Sequence, residues 1–328
     1  MPLDWAPFVD IVRRQHSFLI TTHIRPDGDG IGSMRALGRV LQQQGKEVHY
    51  VIASTMPPRY RFLDPEQRID LFAPPGDRWR KAGAVLVLDT GTWNQLGSFG
   101  PFLKTLPAEK VVIDHHMTQD DLGAIRLVDA TAEATGRLVY EAIVALGVPL
   151  TAETASDLFV AIAMDTGWFR HSNARAPTFD LAAKLVAAGA RPEILYEFLY
   201  EQTTLPRLKL QGVVLERMQL ACDGRVAYTE VRRSDYEATG ATPQDTEDLV
   251  NYARSVAGVE VGLFFMEQPR GGVKVSFRSR ERVDVARVAE LFGGGGHRLA
   301  SGAVIEGTLA DARDRVLAAI AAALAATQ

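Results

Sequence analysis

The sequence predicts an α/β chain of two domains. The N-terminal domain (1–190) has a mainly parallel sheet flanked by helices. A helical linker (191–220) follows, and then a smaller C-terminal α/β domain (221–328). Three observations carry this prediction. The length of 328 residues corresponds to two domains at about 150 residues each. In the first half, short β-rich apolar runs alternate with stretches of helical spacing, the pattern of a parallel sheet built with crossovers. After a mostly helical stretch, β-rich runs return in the last third.

The elements follow in order. Asp4 to Arg14 reads as a helix, and Ser17 to Thr22 (SFLITT) as a buried strand. Ile31 to Gln44 has helical spacing and stops at Gly45, a C-terminal helix signal. Val48–Ala53, Ala84–Leu88, Lys110–Ile113 and Ile125–Val128 are further strands. Helices are expected at Glu133–Leu146, Ala152–Met164, Thr178–Ala188, Pro192–Tyr200 and Leu205–Gln219. In the last third, Arg225–Val231, Val259–Met266 and Gly272–Arg278 read as strands. Glu247–Val256, Asp284–Leu291 and Leu309–Ala325 read as helices.

Composition narrows the function. Hydrophobic residues at 47% and charged residues at 23% are globular values, so the chain has material for a core. A net charge of −4, from 36 Lys+Arg against 40 Asp+Glu, argues against charge-driven binding of duplex DNA. The single cysteine, Cys222, supplies neither an internal disulfide nor a thiolate zinc cluster, which suits a reducing cytoplasm. The N-terminus lacks the apolar core of a signal peptide. The longest apolar stretch, Val316 to Ala326, is shorter than the roughly 20 residues that span a bilayer, so no membrane anchor is expected.

The chemistry gathers at predicted strand and helix ends. The loop HIRPDGDGIGS, His23 to Ser33, follows a strand and opens a helix, where ligands bind in open parallel sheets. It supplies His23, Asp27 and Asp29. The plainer alternative is an acidic turn that caps the helix. Its glycines have neither dinucleotide-fingerprint nor P-loop spacing. Asp89 directly follows the run Ala84–Leu88; an isolated Asp there is commonly a turn residue. Asp114-His115-His116 directly follows Lys110–Ile113, and three ionisable groups at the end of a buried strand would be costly to bury unpaired. Asp165 ends the apolar helix segment Leu158–Met164. Together these elements offer five Asp and three His. Oxygen and nitrogen donors without thiolate favour Mn²⁺ or Mg²⁺ over structural zinc. The donors exceed what one ion needs, and two ions sharing a carboxylate would drive in-line displacement at phosphorus by an activated water.

In this order and spacing, the HIRPDGDGIGS loop, Asp89, the DHH triplet and Asp165 resemble the four motifs of the DHH phosphoesterase superfamily. LFGGGGHRLASGA (Leu291 to Ala303) resembles the glycine-rich signature of the DHH-associated C-terminal domain. Length and layout are similar to the stand-alone NrnA-type oligoribonuclease/pAp phosphatases, or nanoRNases. The resemblance covers nearly the whole chain and places the active site in the cleft between the domains. It implies that His23 and Asp27 hold one metal ion, that Asp29, His115 and Asp165 hold a second, and that Asp89 bridges them. The ions would be Mn²⁺ by preference, or Mg²⁺. Asp114 would support the site from behind or as a ligand, and His116 would contact the scissile phosphate. In the C-terminal domain, Gly294, Gly295 and Gly296 would present backbone N–H groups. His297 would bind a substrate phosphate and act in catalysis, with Arg278 and Ser279 facing the cleft. His171, in FRHSN after Asp165, is a further substrate-binding candidate. Two positions depart from the family pattern: Gly30 stands where Ala is common, and Ala174 where Thr is common. Neither removes a ligand.

The residues of the C-terminal segment agree. Between 270 and 300, seven Lys/Arg (Arg270, Lys274, Arg278, Arg280, Arg282, Arg287, Arg298) face three acids, a local basic excess on an acidic chain. Arg282 and Arg287 are explained by a solvated helix face, whereas Arg278 and His297 lie beside backbone suited to phosphate. The implied activity is metal-dependent hydrolysis of very short single-stranded RNA to nucleoside 5′-monophosphates. Removal of the 3′-phosphate of the mononucleotide bisphosphate pAp would accompany it. The alternatives are a c-di-AMP/pApA phosphodiesterase, a polyphosphate or pyrophosphate hydrolase, and a non-catalytic nucleotide sensor. The sequence leaves the oligomeric state open, a homodimer included.

Overall fold

The strand order of the first sheet decides where its loops meet. In the computed structural model, which describes residues 3–269 and 271–326, six strands lie in the order β3-β2-β1-β4-β5-β6, each parallel to its neighbours. They are β1 (Ser17–Thr21), β2 (Glu47–Ile52), β3 (Ile69–Leu71), β4 (Ala84–Leu88), β5 (Glu109–Asp114) and β6 (Ile125–Val128). The chain leaves β1 toward β2 and β3 on one side, then returns to build β4, β5 and β6 on the other. The carboxyl ends of β1 and β4 therefore flank the topological switch point, where a crevice opens in such sheets. Arg270, counted above among the basic residues, lies outside the described residues.

Alternation along these strands feeds two cores. Phe18, Ile20, Leu86, Leu88, Val111 and Ile113 pack with α1 (Ala6–Arg14), α2 (Gly28–Gln43), α4 (Thr135–Leu146) and α5 (Ala152–Asp165). Leu19, Val85, Val87 and Val112 face the other way, against Trp79 and α3 (Phe99–Thr105). Both faces of β1 and β4 are covered, so these strands read as continuous apolar runs. Further along are α6 (Ala176–Ala187), α7 (Pro192–Tyr196) and a π-helical turn, Glu197–Glu201.

Several elements of this unit differ from expectation, among them α3, which was not anticipated. The strand β3 was not anticipated: it has three residues, sits at the sheet edge and buries none of them fully. The helix α2 begins at Gly28 rather than Ile31, because Asp27 caps it and carries Gly28, Asp29 and Gly30 into its first turn.

The chain divides into two units, Met1–Gln202 and Thr203–Gln328. Residues 191–220, expected as a linker, divide between them. The helix α8 (Leu205–Glu216) buries Leu210 and Val214 in a cluster with Val231, Phe264 and Met266 of the second unit. That unit contains β7 (Gln219–Ala221), β8 (Val226–Val231), β9 (Val261–Glu267), β10 (Val273–Ser279), β11 (Gly295–His297) and β12 (Ala300–Ile305). Its helices are α8, α9 (Arg233–Thr239), α10 (Val250–Ser255), α11 (Val285–Glu290) and α12 (Leu309–Ala325). The sheet order is β11-β12-β10-β9-β8-β7, antiparallel except for the pair β8/β9. The strands β11 and β12 are missing from the sequence reading because GGH and ASGAVI are small, glycine-containing segments with little β propensity.

Candidate active site

The ends of β1, β4, β5 and α5 deliver the predicted residues. His23 lies two residues beyond the end of β1, and Asp27 caps α2, its Oδ1 accepting from the N–H groups of Asp29 (3.0 Å) and Gly30 (3.1 Å). The capping role and the ligand role thus fall on one carboxylate. Asp89 follows β4 in a left-handed conformation (φ 62°), with its N–H donating to the Ile113 carbonyl. A non-glycine residue rarely adopts this backbone, and such residues recur at functional sites. Asp114 ends β5 and Asp165 ends α5.

These residues converge into groups that share residues. His23 Nε2 lies 3.3 Å from Asp89 Oδ2 and 3.8 Å from Asp27 Oδ1. His115 Nε2 lies 3.2 Å from Asp165 Oδ2, 3.6 Å from Asp89 Oδ1 and 3.8 Å from Asp29 Oδ2. His23, Asp27 and Asp89 form one group able to hold a metal ion; Asp29, His115 and Asp165 form another, and Asp89, His115 and His116 a third. Asp89 sends Oδ2 toward His23 and Oδ1 toward His115.

Both imidazoles are fixed from behind. His23 Nδ1 donates to the Ile24 carbonyl (2.8 Å) and His115 Nδ1 to the Ala132 carbonyl (3.2 Å), which turns each Nε2 inward. His115 Nε2 is buried without a hydrogen-bond partner, although three carboxylates surround it. A neutral imidazole there aims a lone pair at negative oxygens, which is repulsive. A divalent cation between them converts the same arrangement into a ligand set, so the residues fit such an ion.

The electrostatics show the same crowding. Burial, reinforced by the charges of Asp89 and Asp165, pushes the Asp29 carboxyl well above its usual range. Burial and the Asp89 charge push Asp165 up to about 6. Burial disfavours the charged form of His23, but hydrogen bonds and charges from Asp27 and Asp89 outweigh it and carry the imidazole up to about 11. Protons gather where positive charge is lacking, and bound cations would displace them.

Asp114 occupies a different place. It is fully buried; its Oδ1 accepts from the N–H (3.2 Å) and Nδ1 (2.8 Å) of His116, and its Oδ2 accepts from Gln119 Nε2 (2.5 Å). This hydrogen bond, working against burial, holds His116 up at about 9. Three supporting residues escaped the sequence reading: Gln119, Ser33, whose hydroxyl donates to Asp29 Oδ1 (3.2 Å), and Thr135, which touches both Asp29 and Asp89. Ser33 closes the HIRPDGDGIGS motif and Thr135 opens a Thr-Gly pair at the start of an apolar helical run, whereas Gln119 left no signal. His171 packs its ring into the space a side chain at Gly167 would take.

In the second unit, Arg278 lies on β10, half-buried, its Nη1 donating to the Phe277 carbonyl (3.0 Å). Ser279 is buried, and its hydroxyl donates to Glu260 Oε1 (2.9 Å). His297 is exposed on β11. The expectation that three glycines present N–H groups needs correction at Gly294, whose N–H donates to the Ala289 carbonyl (2.9 Å) and closes the end of α11. Glycine is required there for another reason: a Cβ would lie 2.2 Å from the Gly302 carbonyl oxygen of β12.

Residues 17–162 match the DHH family N-terminal domain, and residues 223–326 match the DHHA1 domain. The bifunctional oligoribonuclease and PAP phosphatase NrnA of Thermus thermophilus is 34% identical over 306 residues, covering 92% of this chain and 88% of that protein. The chain belongs to the DHH family. A Bacillus subtilis relative, also named bifunctional oligoribonuclease and PAP phosphatase NrnA, is 28% identical over 307 residues, covering 92% of this chain and 93% of that protein. An exopolyphosphatase-related protein of Bacteroides fragilis has the same fold, with a TM-score of 0.87 at 24% identity and coverage of 97% and 96%. Exonuclease RecJ bound to manganese superposes at a TM-score of 0.55 with 16% identity, covering 98% and 95%. No helix among the described residues is long and apolar enough to cross a membrane.

Proposed function

We propose that this chain is a metal-dependent phosphoesterase that cleaves very short RNA to nucleoside 5′-monophosphates and removes the 3′-phosphate of pAp. The observation that carries this reading is Asp89, one carboxylate with an oxygen toward each of two ligand groups. The names of the relatives, oligoribonuclease and PAP phosphatase, support the substrate class. His23, Asp27 and Asp89 are assigned to one divalent cation, and Asp29, His115, Asp165 and Asp89 to a second, with Mn²⁺ preferred. Such ions neutralise charge on the attacked phosphate and make a water nucleophilic near neutral pH.

The chain's own groups do the rest. Asp114 holds Nδ1 of His116, so Nε2 is the donor left to reach a phosphate oxygen, and the exposed ring is open to substrate. In the second unit, Arg278, His297 and the backbone of Gly295 and Gly296 are assigned to a substrate phosphate. Ser279, on the opposite face of β10 from Arg278, is assigned a supporting role through its hydrogen bond to Glu260.

The test is hydrolysis of a panel with Mn²⁺: 5′-labelled RNAs from dinucleotide to pentanucleotide, a long RNA, pAp, pApA, c-di-AMP and polyphosphate, with Asp89→Asn as control. Fast cleavage of the shortest RNAs and of pAp, lost in the variant, is expected. Preference for c-di-AMP or for polyphosphate would replace the substrate assignment. Tight nucleotide binding without hydrolysis would overturn the enzyme.

A further inference from the structure

We propose that Thr135 is the positioning residue that couples the two halves of the metal centre; this rests on the two-cation reading above. Thr135 is fully buried at the first residue of α4. Its N–H donates to Asp29 Oδ2 at 2.7 Å, and its hydroxyl donates to Asp89 Oδ1 at 2.9 Å. Asp29 belongs to one ligand group, with His115 and Asp165, and Asp89 belongs to the other two. One side chain and its own amide thus touch a carboxylate from each group.

The ordinary role for a threonine at a helix start does not apply. An N-cap threonine accepts, through its hydroxyl, an N–H from the first turn. Here the N-cap is Ala134, and the Thr135 hydroxyl donates outward to Asp89. The helix end is capped by Asp29 instead, whose oxygens accept from the N–H groups of Thr135 (2.7 Å) and Gly136 (2.9 Å).

The hydroxyl has a specific task at Asp89. The terminal torsion of an aspartate is broad, so the backbone alone does not set the plane of its carboxylate. The bridging geometry needs that plane set, because Oδ2 must face His23 and Oδ1 must face His115. A hydrogen bond to Oδ1 selects the plane and occupies one lone pair, leaving another for a cation. The residue holding the bridging oxygen also holds Asp29, so a shift of the α4 start moves ligands of both groups together.

The experiment uses the full chain, stripped of metal, and compares wild type with Thr135→Val, Thr135→Ala and Thr135→Ser. Mn²⁺ binding is measured by titration calorimetry, and the approach of the two ions by their magnetic coupling in electron paramagnetic resonance. Wild type and Thr135→Ser should bind two ions with a coupled signal. In Thr135→Val, one of the two affinities should fall by about 10–100-fold and the coupling should weaken, the size typical for loss of a partner behind a ligand. The value of kcat should fall with KM nearly unchanged. If Thr135→Val does not fold, Thr135→Ala is read the same way. Two ions bound as in wild type, with coupling intact, by the variant lacking the hydroxyl would overturn the role of Thr135. So would a Thr135→Ser variant as weak as Thr135→Val. A wild type that binds only one ion would overturn the two-cation reading itself.

Discussion

Asp114 grips His116 twice, accepting from its backbone N–H at 3.2 Å and from its ring Nδ1 at 2.8 Å. Gln119 holds the other oxygen of Asp114, so the ring is anchored through a buried carboxylate that is itself anchored. His116→Ala should lower kcat by about 10²–10⁴-fold, the range for loss of a positioned proton donor. Mn²⁺ binding should survive, as measured by calorimetry. Asp114→Asn should lower kcat less, since the ring stays in place. Loss of one metal ion in His116→Ala would instead make His116 a ligand, as its grouping with Asp89 and His115 allows.

Chelation should abolish hydrolysis reversibly, with Mn²⁺ restoring it better than Mg²⁺. Because the crowded carboxylates repel one another without cations, metal should also raise the melting temperature. At a metal concentration of about 100 times Kd, the gain is about 2.7 kcal/mol, which differential scanning calorimetry reads as a shift of several degrees. Asp89→Asn should lose most of this shift, since it removes charge from both ligand groups.

Gly30, one of the departures from the family pattern, is explained by Thr22. A Cβ at Gly30 would lie 2.5 Å from Thr22 Oγ1, and Thr22 is fully buried. Alanine normally favours a helix over glycine by about 1 kcal/mol. Here overpacking, at about 1–3 kcal/mol, should prevail and make Gly30→Ala destabilising. Adding Thr22→Ala should recover stability, and chemical denaturation of both singles and the double variant measures the coupling. A stabilised Gly30→Ala single variant would show that Thr22 moves aside freely.

Glu260 organises the loop after Arg278. Its Oε1 accepts from the Ser279 hydroxyl and from the N–H groups of Glu281, Arg282 and Val283 at 2.6–3.2 Å. Burial opposes the charge, but these donors outweigh it and hold the carboxyl below its ordinary 4.5. A depressed carboxylate stabilises the fold above its unfolded pKa and loses that contribution as pH falls through the folded value. Glu260→Ala should cost about 1–3 kcal/mol at neutral pH by leaving N–H groups unpaired. The deficit of Glu260→Gln against wild type should shrink on acidification below about pH 4.5, as followed by thermal melts across pH.

Local sequence by itself determined the kinds of element and the stations of the chemistry. The apolar run Ala84–Leu88 is the strand β4 as bounded in the sequence, because a strand covered on both faces must be continuously apolar; Ile125–Val128 is the edge strand β6 with the same bounds, although Ile125 and Arg126 are exposed. The polar residues that follow such runs, His23, Asp89 and the DHH triplet, stood out because a buried strand end tolerates charge only with partners. What tertiary structure alone decided is which atom meets which. The strand order brings β1 beside β4, and so His23 beside Asp89, although 65 residues separate them by number. It also sets Thr135 against Asp29 and Asp89, and Gly30 against Thr22. Local sequence encodes propensity and polarity, whereas these pairings arise from packing of segments distant in the chain, whose contacts no local pattern records.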